Sequence, residues 1–311
     1  MEKMKLATQL KQVALVSVLS VFGVSAANAV PLITQWGSEQ EFEFTAWEDT
    51  NGGGGDDIFA SGASGSNVAG VTKLAWGSPT GSPRSSIVIN PGVDPTQPTN
   101  ALVNSNVTTS TDGVLQLADF GLGPVLAHNN FAISNAFQTL DTATGTDYVV
   151  LEALAPPLGA LAPRVLTFGI NFAETNNALT GDACPSGNPG TGCSDIFTLS
   201  GLDLGPEVDV IDSDDDAFQI DQFLIPADGG GFIKYTVYLL AEGLGFLDNA
   251  VCSVAGAEDG CIGLITLEGQ TNAFQLRFAI TAEEIPEPAT LALFAGSLLL
   301  MLGLRRRKHQ S

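Results

Sequence analysis

Basic residues are nearly missing from the body of this chain. Of its twelve lysines and arginines, only Lys73, Arg84, Arg164, Lys234 and Arg277 fall between Val30 and Ile285, where 32 of the 34 acids also lie, a net charge of −27. Such a surface repels phosphate backbones and anionic lipid, which excludes nucleic acid as a partner. Histidine is nearly absent too: His128 is the single imidazole of the body, and His309 lies in the tail. A Ser-His-Asp triad would have to use His128, yet no Gly-x-Ser-x-Gly elbow occurs. One histidine builds no zinc site without several carboxylates in support. There is no P-loop and no complete Gly-x-Gly-x-x-Gly behind a strand. These absences predict a protein that is not an enzyme. The chain also lacks any long stretch with a 3.6-residue apolar period, so a helical bundle is excluded. With 44% apolar residues, it can still build a core.

Two segments flank the body. At the N-terminus Lys3, Lys5 and Lys11 precede the apolar run Val13–Val24, and Ala27-Asn28-Ala29 follows. Charge, a short apolar run and small residues at Ala27 and Ala29 are the order of a secretory signal peptide, predicted to span residues 1–29 with cleavage after Ala29. Export through the secretion translocon follows from that. At the C-terminus Ala289–Leu304 contains no charge and is closed by Arg305, Arg306, Arg307 and Lys308. Sixteen helical residues rise roughly 24 Å, short of the ~30 Å hydrocarbon core. A short single transmembrane helix is expected, with the basic cluster held on the cytoplasmic side and the acidic body outside. Pro286 and Pro288 cannot join a helix interior and hold an extended stretch just ahead of it.

Pro286-Glu287-Pro288, a short apolar helix and a terminal basic cluster, in that order, resemble the PEP-CTERM sorting signal of Gram-negative bacteria. The resemblance covers residues 285–311. It implies recognition by an exosortase, transient anchoring in the inner membrane, and delivery to the cell surface or an exopolysaccharide matrix.

The body, residues 30–284, reads as one β-rich exported domain. Phe42 and Phe44 alternate with Glu41 and Glu43, and Leu166, Phe168, Ile170 and Phe172 with smaller or polar residues. Ile233, Tyr235, Val237 and Leu239 are spaced by two, as are Phe274, Leu276, Phe278 and Ile280. Thirty-five glycines and the turn formers between these runs predict an antiparallel β-sandwich-like fold. The stretch Asn90–Asn100 is expected to be a long loop. Cys184/Cys193 and Cys252/Cys261 are each nine residues apart. Three pairings are formally open to four cysteines, and the matched spacing favours two local disulfides in an oxidising compartment.

Val125-Leu126-Ala127-His128-Asn129-Asn130-Phe131-Ala132-Ile133 resembles the segment that names the THxN family of PEP-CTERM proteins. The Cys184…Cys193-Ser194-Asp195-Ile196-Phe197 block, the Cys252…Cys261-Ile262-Gly263-Leu264 block and Asn272–Thr281 fit the same family. The match holds at His128 and Asn130, while Ala127 stands where the family has Thr. The resemblance implies a destination and brings no activity with it. His128, beside Asn129 and Asn130, is expected to close a turn by hydrogen bonding.

Three further features bear on ligands. Asp212, Asp214 and Asp216 have the spacing of the first three EF-hand ligands, but Ala217 and Phe223 occupy the positions that want Gly and Glu. A looser Ca²⁺ loop is one reading of this run, which has Asp221 nearby, and a solvated acidic turn the other; the Asp56-Asp57 pair is a similar, weaker case. Trp36, Trp47 and Trp76 would stack on sugar rings if exposed and fill the core if not. The expectation is thus a non-enzymatic surface or matrix protein that associates with exopolysaccharide. The alternatives are a calcium-dependent adhesion module and a secreted hydrolase working through paired carboxylates.

Overall fold

The computed structural model describes residues 30–50, 57–62, 70–78, 84–99, 102–134, 136–175, 184, 193–201, 205–228 and 230–286. The segment expected to be a signal peptide, residues 1–29, and Glu287, Pro288 and the rest of the C-terminal tail lie outside these residues. The described chain is mainly β, with one short helix, α1 (Asn249–Val254). Its strands are β1 (Gln35–Asp49), β2 (Phe59–Ser61), β3 (Lys73–Trp76), β4 (Ser85–Ile89), β5 (Leu102–Ser110), β6 (Leu115–Gln116), β7 (Gly121–Asn129), β8 (Leu140–Ala155), β9 (Pro157–Ala160), β10 (Arg164–Ala173), β11 (Asp195–Ser200), β12 (Glu207–Val208), β13 (Val210–Ile211), β14 (Ala217–Pro226), β15 (Phe232–Glu242), β16 (Gly245–Phe246), β17 (Ile262–Thr266) and β18 (Thr271–Ile285). No helix among the described residues is long and apolar enough to cross a membrane.

The chain forms two compact units. In the larger, residues 33–221 and 236–281, one hydrogen-bonded path runs β16-β17-β11-β10-β8-β1-β5-β18-β7-β4-β3-β2. Neighbours are antiparallel except at β5–β18, where Ile280 lies beside Thr109 and Thr281 beside Ser110 in parallel register. Strands remote along this path meet through their side chains. Phe172 on β10 packs 4.9 Å from Trp76 on β3, and Phe197 on β11 lies 5.3 Å from Phe274 on β18. Rings at these spacings contribute beyond the area they bury. In the smaller unit, Gln222–Tyr235 associates with residues 30–32 and 282–286. There Val30 N–H donates to Pro226 O at 2.9 Å, Phe223 stacks on Tyr235 at 5.4 Å, and Lys234 pairs with Glu283.

Period-2 patterning places the large residues of β15 and β18 in the core, with Thr236, Leu240 and Ala279 of the alternate face buried as well. Ile233, Tyr235, Val237 and Leu239 are all buried, as are Phe274, Leu276, Phe278 and Ile280. The middle of β1 departs from it: Glu41 and Glu43 are buried alongside Phe42 and Phe44. That strand is covered on both faces, and Glu43 is satisfied by the backbone N–H of Gly70 at 3.0 Å. Close approach explains two glycines. A Cβ on Gly145 would sit 2.6 Å from the Phe42 ring, and one on Gly263 only 2.1 Å from Phe197 O, where β17 crosses β11.

The loop expected at Asn90–Asn100 is pinned by hydrogen bonds over its described part. Asp94 Oδ1 accepts from Thr96 N–H at 2.9 Å and from its hydroxyl at 2.7 Å, and Lys73 Nζ donates to Thr96 O at 2.6 Å. Both local disulfides are formed, Cys184–Cys193 and Cys252–Cys261. Cys252 belongs to α1, so the second bridge clips that short helix to the strand that follows it. Trp36 and Trp76 are fully buried in the core and offer no face to a sugar, while Trp47 is half-buried.

Candidate functional site

His128 stands on β7, and the turn expected for it does not occur. Its Cα partners are Ile87 on β4 and Asn272 on β18. The ring is buried at 2% exposure, 5.8 Å from the Trp76 ring and near parallel to it, with the Phe172 ring edge-on at 5.0 Å. Neither imidazole nitrogen has a hydrogen-bond partner. Burial pushes its pKa down to about 3, because nothing repays the solvation lost by the charged form. A catalytic imidazole must hold a nucleophile on one nitrogen and an orienting group on the other. His128 holds neither and acts as a flat neutral ring in an aromatic stack.

The two asparagines that follow carry the connections. Asn129 Nδ2 donates to Ser86 Oγ at 3.2 Å and Pro95 O at 2.9 Å, and its Oδ1 accepts from Thr271 Oγ1 at 2.7 Å. Asn130 is fully buried. Its N–H donates to Gln270 O and its carbonyl accepts from Gly269 N–H, both at 2.9 Å, so the β17–β18 turn wraps around it. Its Nδ2 donates to Thr266 O at 2.9 Å, leaving Oδ1 buried and without a partner. Ala127, at the position where the resembled family has Thr, points to the opposite face. It is buried between Val88 and Ala273 in the register.

One step further along the same core lie three carboxyl groups that sequence reasoning did not single out. Glu174 follows β10, Asp195 opens β11 and Glu268 sits in the β17–β18 turn, and one oxygen of each lies within 4.8 Å of the other two. Trp76 Nε1–H donates to Glu174 Oε2 at 3.3 Å, so the stacked indole also anchors this cluster. Asp195 is fully buried; its Oδ1 accepts from Thr175 N–H at 2.9 Å, and its Oδ2 has no partner. Burial is the main cause holding both Glu174 and Asp195 well above the usual carboxylate range, and the neighbouring acids add to it. No lysine or arginine contributes to either shift. The sole sequence hint was indirect: Asp195 lies within the Cys193–Phe197 block, and Glu268 just before the Asn272–Thr281 block.

The acidic run takes another form. Asp212 occupies the left-handed region at φ 65°, Asp215 Oδ2 accepts from Gly243 N–H at 3.0 Å, and Asp215 N–H donates to Ser213 Oγ at 3.1 Å. Asp212, Asp214 and Asp216 do not form a group of three converging carboxyls; among the described residues only Glu174, Asp195 and Glu268 do. Asp221 is taken up by Arg164, at 3.2 Å. Asp214, Asp215 and Asp216 border a small pocket of about 130 Å³, which shares Phe218 and Phe246 with a cleft of about 830 Å³. Leu199, Phe218, Leu239 and Phe246 make its apolar lining, and Glu207 and Asp259 stand among them. Phe246 is 57% exposed. Glu207 has its pKa raised by a hydrogen bond with Asp216.

What places the protein in a class lies at the C-terminus. Residues 284–308 match the PEP-CTERM protein-sorting motif, which takes in Pro286, Glu287, Pro288, the apolar run and the basic cluster through Lys308. The chain is therefore an exported, exosortase-sorted protein that transits the membrane. No curated protein matches the chain.

Proposed function

We propose that this chain is a non-enzymatic component of the bacterial surface or extracellular matrix, of the THxN type, built as an antiparallel sandwich-like domain. Signal peptide 1–29 delivers it through the secretion translocon, and an exosortase processes it beside Pro286-Glu287-Pro288. The sorting motif behind an acidic, disulfide-clipped β body carries this reading. Two features of the body support a non-catalytic role. His128 has no partner on either nitrogen. Hydrolysis of a glycoside places a sugar between two carboxyls about 5–9 Å apart, whereas the oxygens of Glu174 and Asp195 lie within 4.8 Å and Asp195 has no exposed surface.

Association with exopolysaccharide is the second half of the proposal. The cleft beneath Phe246 has the size of a ligand site and an exposed ring on which a sugar can stack. Replacing Pro286, Glu287 and Pro288 by Ala in the native host tests the sorting claim. The variant is expected to accumulate uncleaved in the inner membrane; unchanged surface delivery would overturn it. Retention of the exported protein on the strain's own polysaccharide, lowered in Phe246→Ala, tests the binding claim, and no retention of the unmodified protein would end it.

A further inference from the structure

The geometry points to a calcium site formed by Glu174, Asp195 and Glu268, with Asn130 Oδ1 as a fourth oxygen, remote from the acidic run at Asp212–Asp216. Ca²⁺ binds oxygens at about 2.3–2.6 Å, so ligands on one such shell lie no more than about 4.8 Å apart. The three carboxyl oxygens meet that limit in the structure.

The arrangement is built rather than incidental. In Asp195, fully buried, and in Glu174, partly buried, one oxygen is tied down and the other is left over. Glu174 spends Oε2 on Trp76, and Asp195 spends Oδ1 on Thr175, while Glu174 Oε1 and Asp195 Oδ2 are buried with no hydrogen bond. A buried, unpartnered carboxylate oxygen costs several kcal/mol unless a counter-charge is supplied. No basic side chain supplies one.

Asn130 is an independent sign of a ligand. Its side chain is fully buried against Thr266, the residue paired with Asp195 in the β11–β17 register. The turn that carries Glu268 closes around it. With Nδ2 donated to Thr266, the amide oxygen remains buried and unsatisfied, and Thr266 in turn donates its hydroxyl to Asp195 O at 3.3 Å. A neutral carbonyl joined to carboxylates is the donor set of a calcium site. The all-oxygen character argues against zinc, which prefers His or Cys. Mg²⁺ dehydrates reluctantly and keeps several waters, so a set of four protein oxygens suits it less well than Ca²⁺. Bound there, Ca²⁺ ties the ends of β10 and β11 to the β17–β18 turn.

The indole of Trp76 provides a direct reporter, because it touches a ligand. The exported protein, with both disulfides intact, is titrated with Tb³⁺ under tryptophan excitation, then with Ca²⁺ by calorimetry. We expect sensitised Tb³⁺ emission that Ca²⁺ displaces, and a single Ca²⁺ per chain. Trp76→Phe is expected to abolish the emission while still binding Ca²⁺. Glu268→Gln, on a partly exposed turn, is expected to weaken Ca²⁺ at least about tenfold while melting like the unmodified protein in chelator. The triple change of Asp212, Asp214 and Asp216 to Asn is expected to leave affinity unchanged. Absence of Ca²⁺ binding overturns the proposal. So does binding that Glu268→Gln leaves intact, or binding that the triple variant removes. None of these three results bears on sorting by the C-terminal tail.

Discussion

Asp147→Asn is expected to make the protein more stable, and increasingly so as pH rises from about 5 to about 8. Asp147 lies in the middle of β8, opposite Phe42 on β1 and Leu166 on β10. It is 1% exposed, and neither carboxyl oxygen has a hydrogen-bond partner. Burial pushes its pKa from 3.8 up to about 8. Between those values the folded chain keeps a proton that the unfolded chain has released. Stability therefore falls with rising pH, by about 1.4 kcal/mol per pH unit for this one group, and levels off above about pH 8. By pH 7 the loss relative to pH 4 is about 4 kcal/mol, an upper figure because local relaxation and water entry soften it. Asparagine has the shape of the protonated acid and cannot ionise. Both forms leave the same kind of polar group buried, so the two proteins should be about equally stable near pH 4. Urea unfolding of both proteins at pH 4.5, 5.5, 6.5 and 7.5 measures the gap directly. A gap that widens by about 1 kcal/mol per unit agrees with the reasoning. Parallel stability curves, or an asparagine variant that loses stability as pH rises, would refute it.

Two other perturbations follow from the packing. Phe172→Ala removes the ring that Trp76 and His128 both contact, and is expected to cost about 3–5 kcal/mol in the same unfolding assay; a loss under 1 kcal/mol would mean that this stack is not part of the core. Replacing Cys252 and Cys261 together by Ser opens a nine-residue separation, and an accompanying loss of about 2–3 kcal/mol is expected, read as a lower melting temperature.

Residues whose neighbours are set by local pattern were legible in the sequence. The alternating runs of β15 and β18 and the matched cysteine spacings each describe contacts across a short loop or along one strand. What the sequence did not reveal depends on strands brought together from far apart. Glu174, Asp195 and Glu268 come from three elements, and only the path β17-β11-β10 sets them side by side. The same holds for His128, whose neighbours Trp76 and Phe172 arrive from β3 and β10; reading it with Asn129 and Asn130 alone suggested a turn. Glu41 and Glu43 defeated the two-residue pattern because the centre of β1 is covered on both faces. The acidic run misled in the opposite sense. Its spacing is local and evocative, yet the backbone at Asp212 and the bond from Gly243 to Asp215 turn its carboxyls to other uses.

The central claim is that a sorted, processed, acidic β body reaches the surface. Intact-mass measurement of the protein released from the cell surface tests it most directly, because a single mass reports both cuts and both bridges. The expected chain begins at Val30, ends at or close to Pro286-Glu287-Pro288 apart from any group attached there, and lacks four hydrogens for its two disulfides. A mass that retains Arg305–Lys308, or one that begins at Met1, would contradict it.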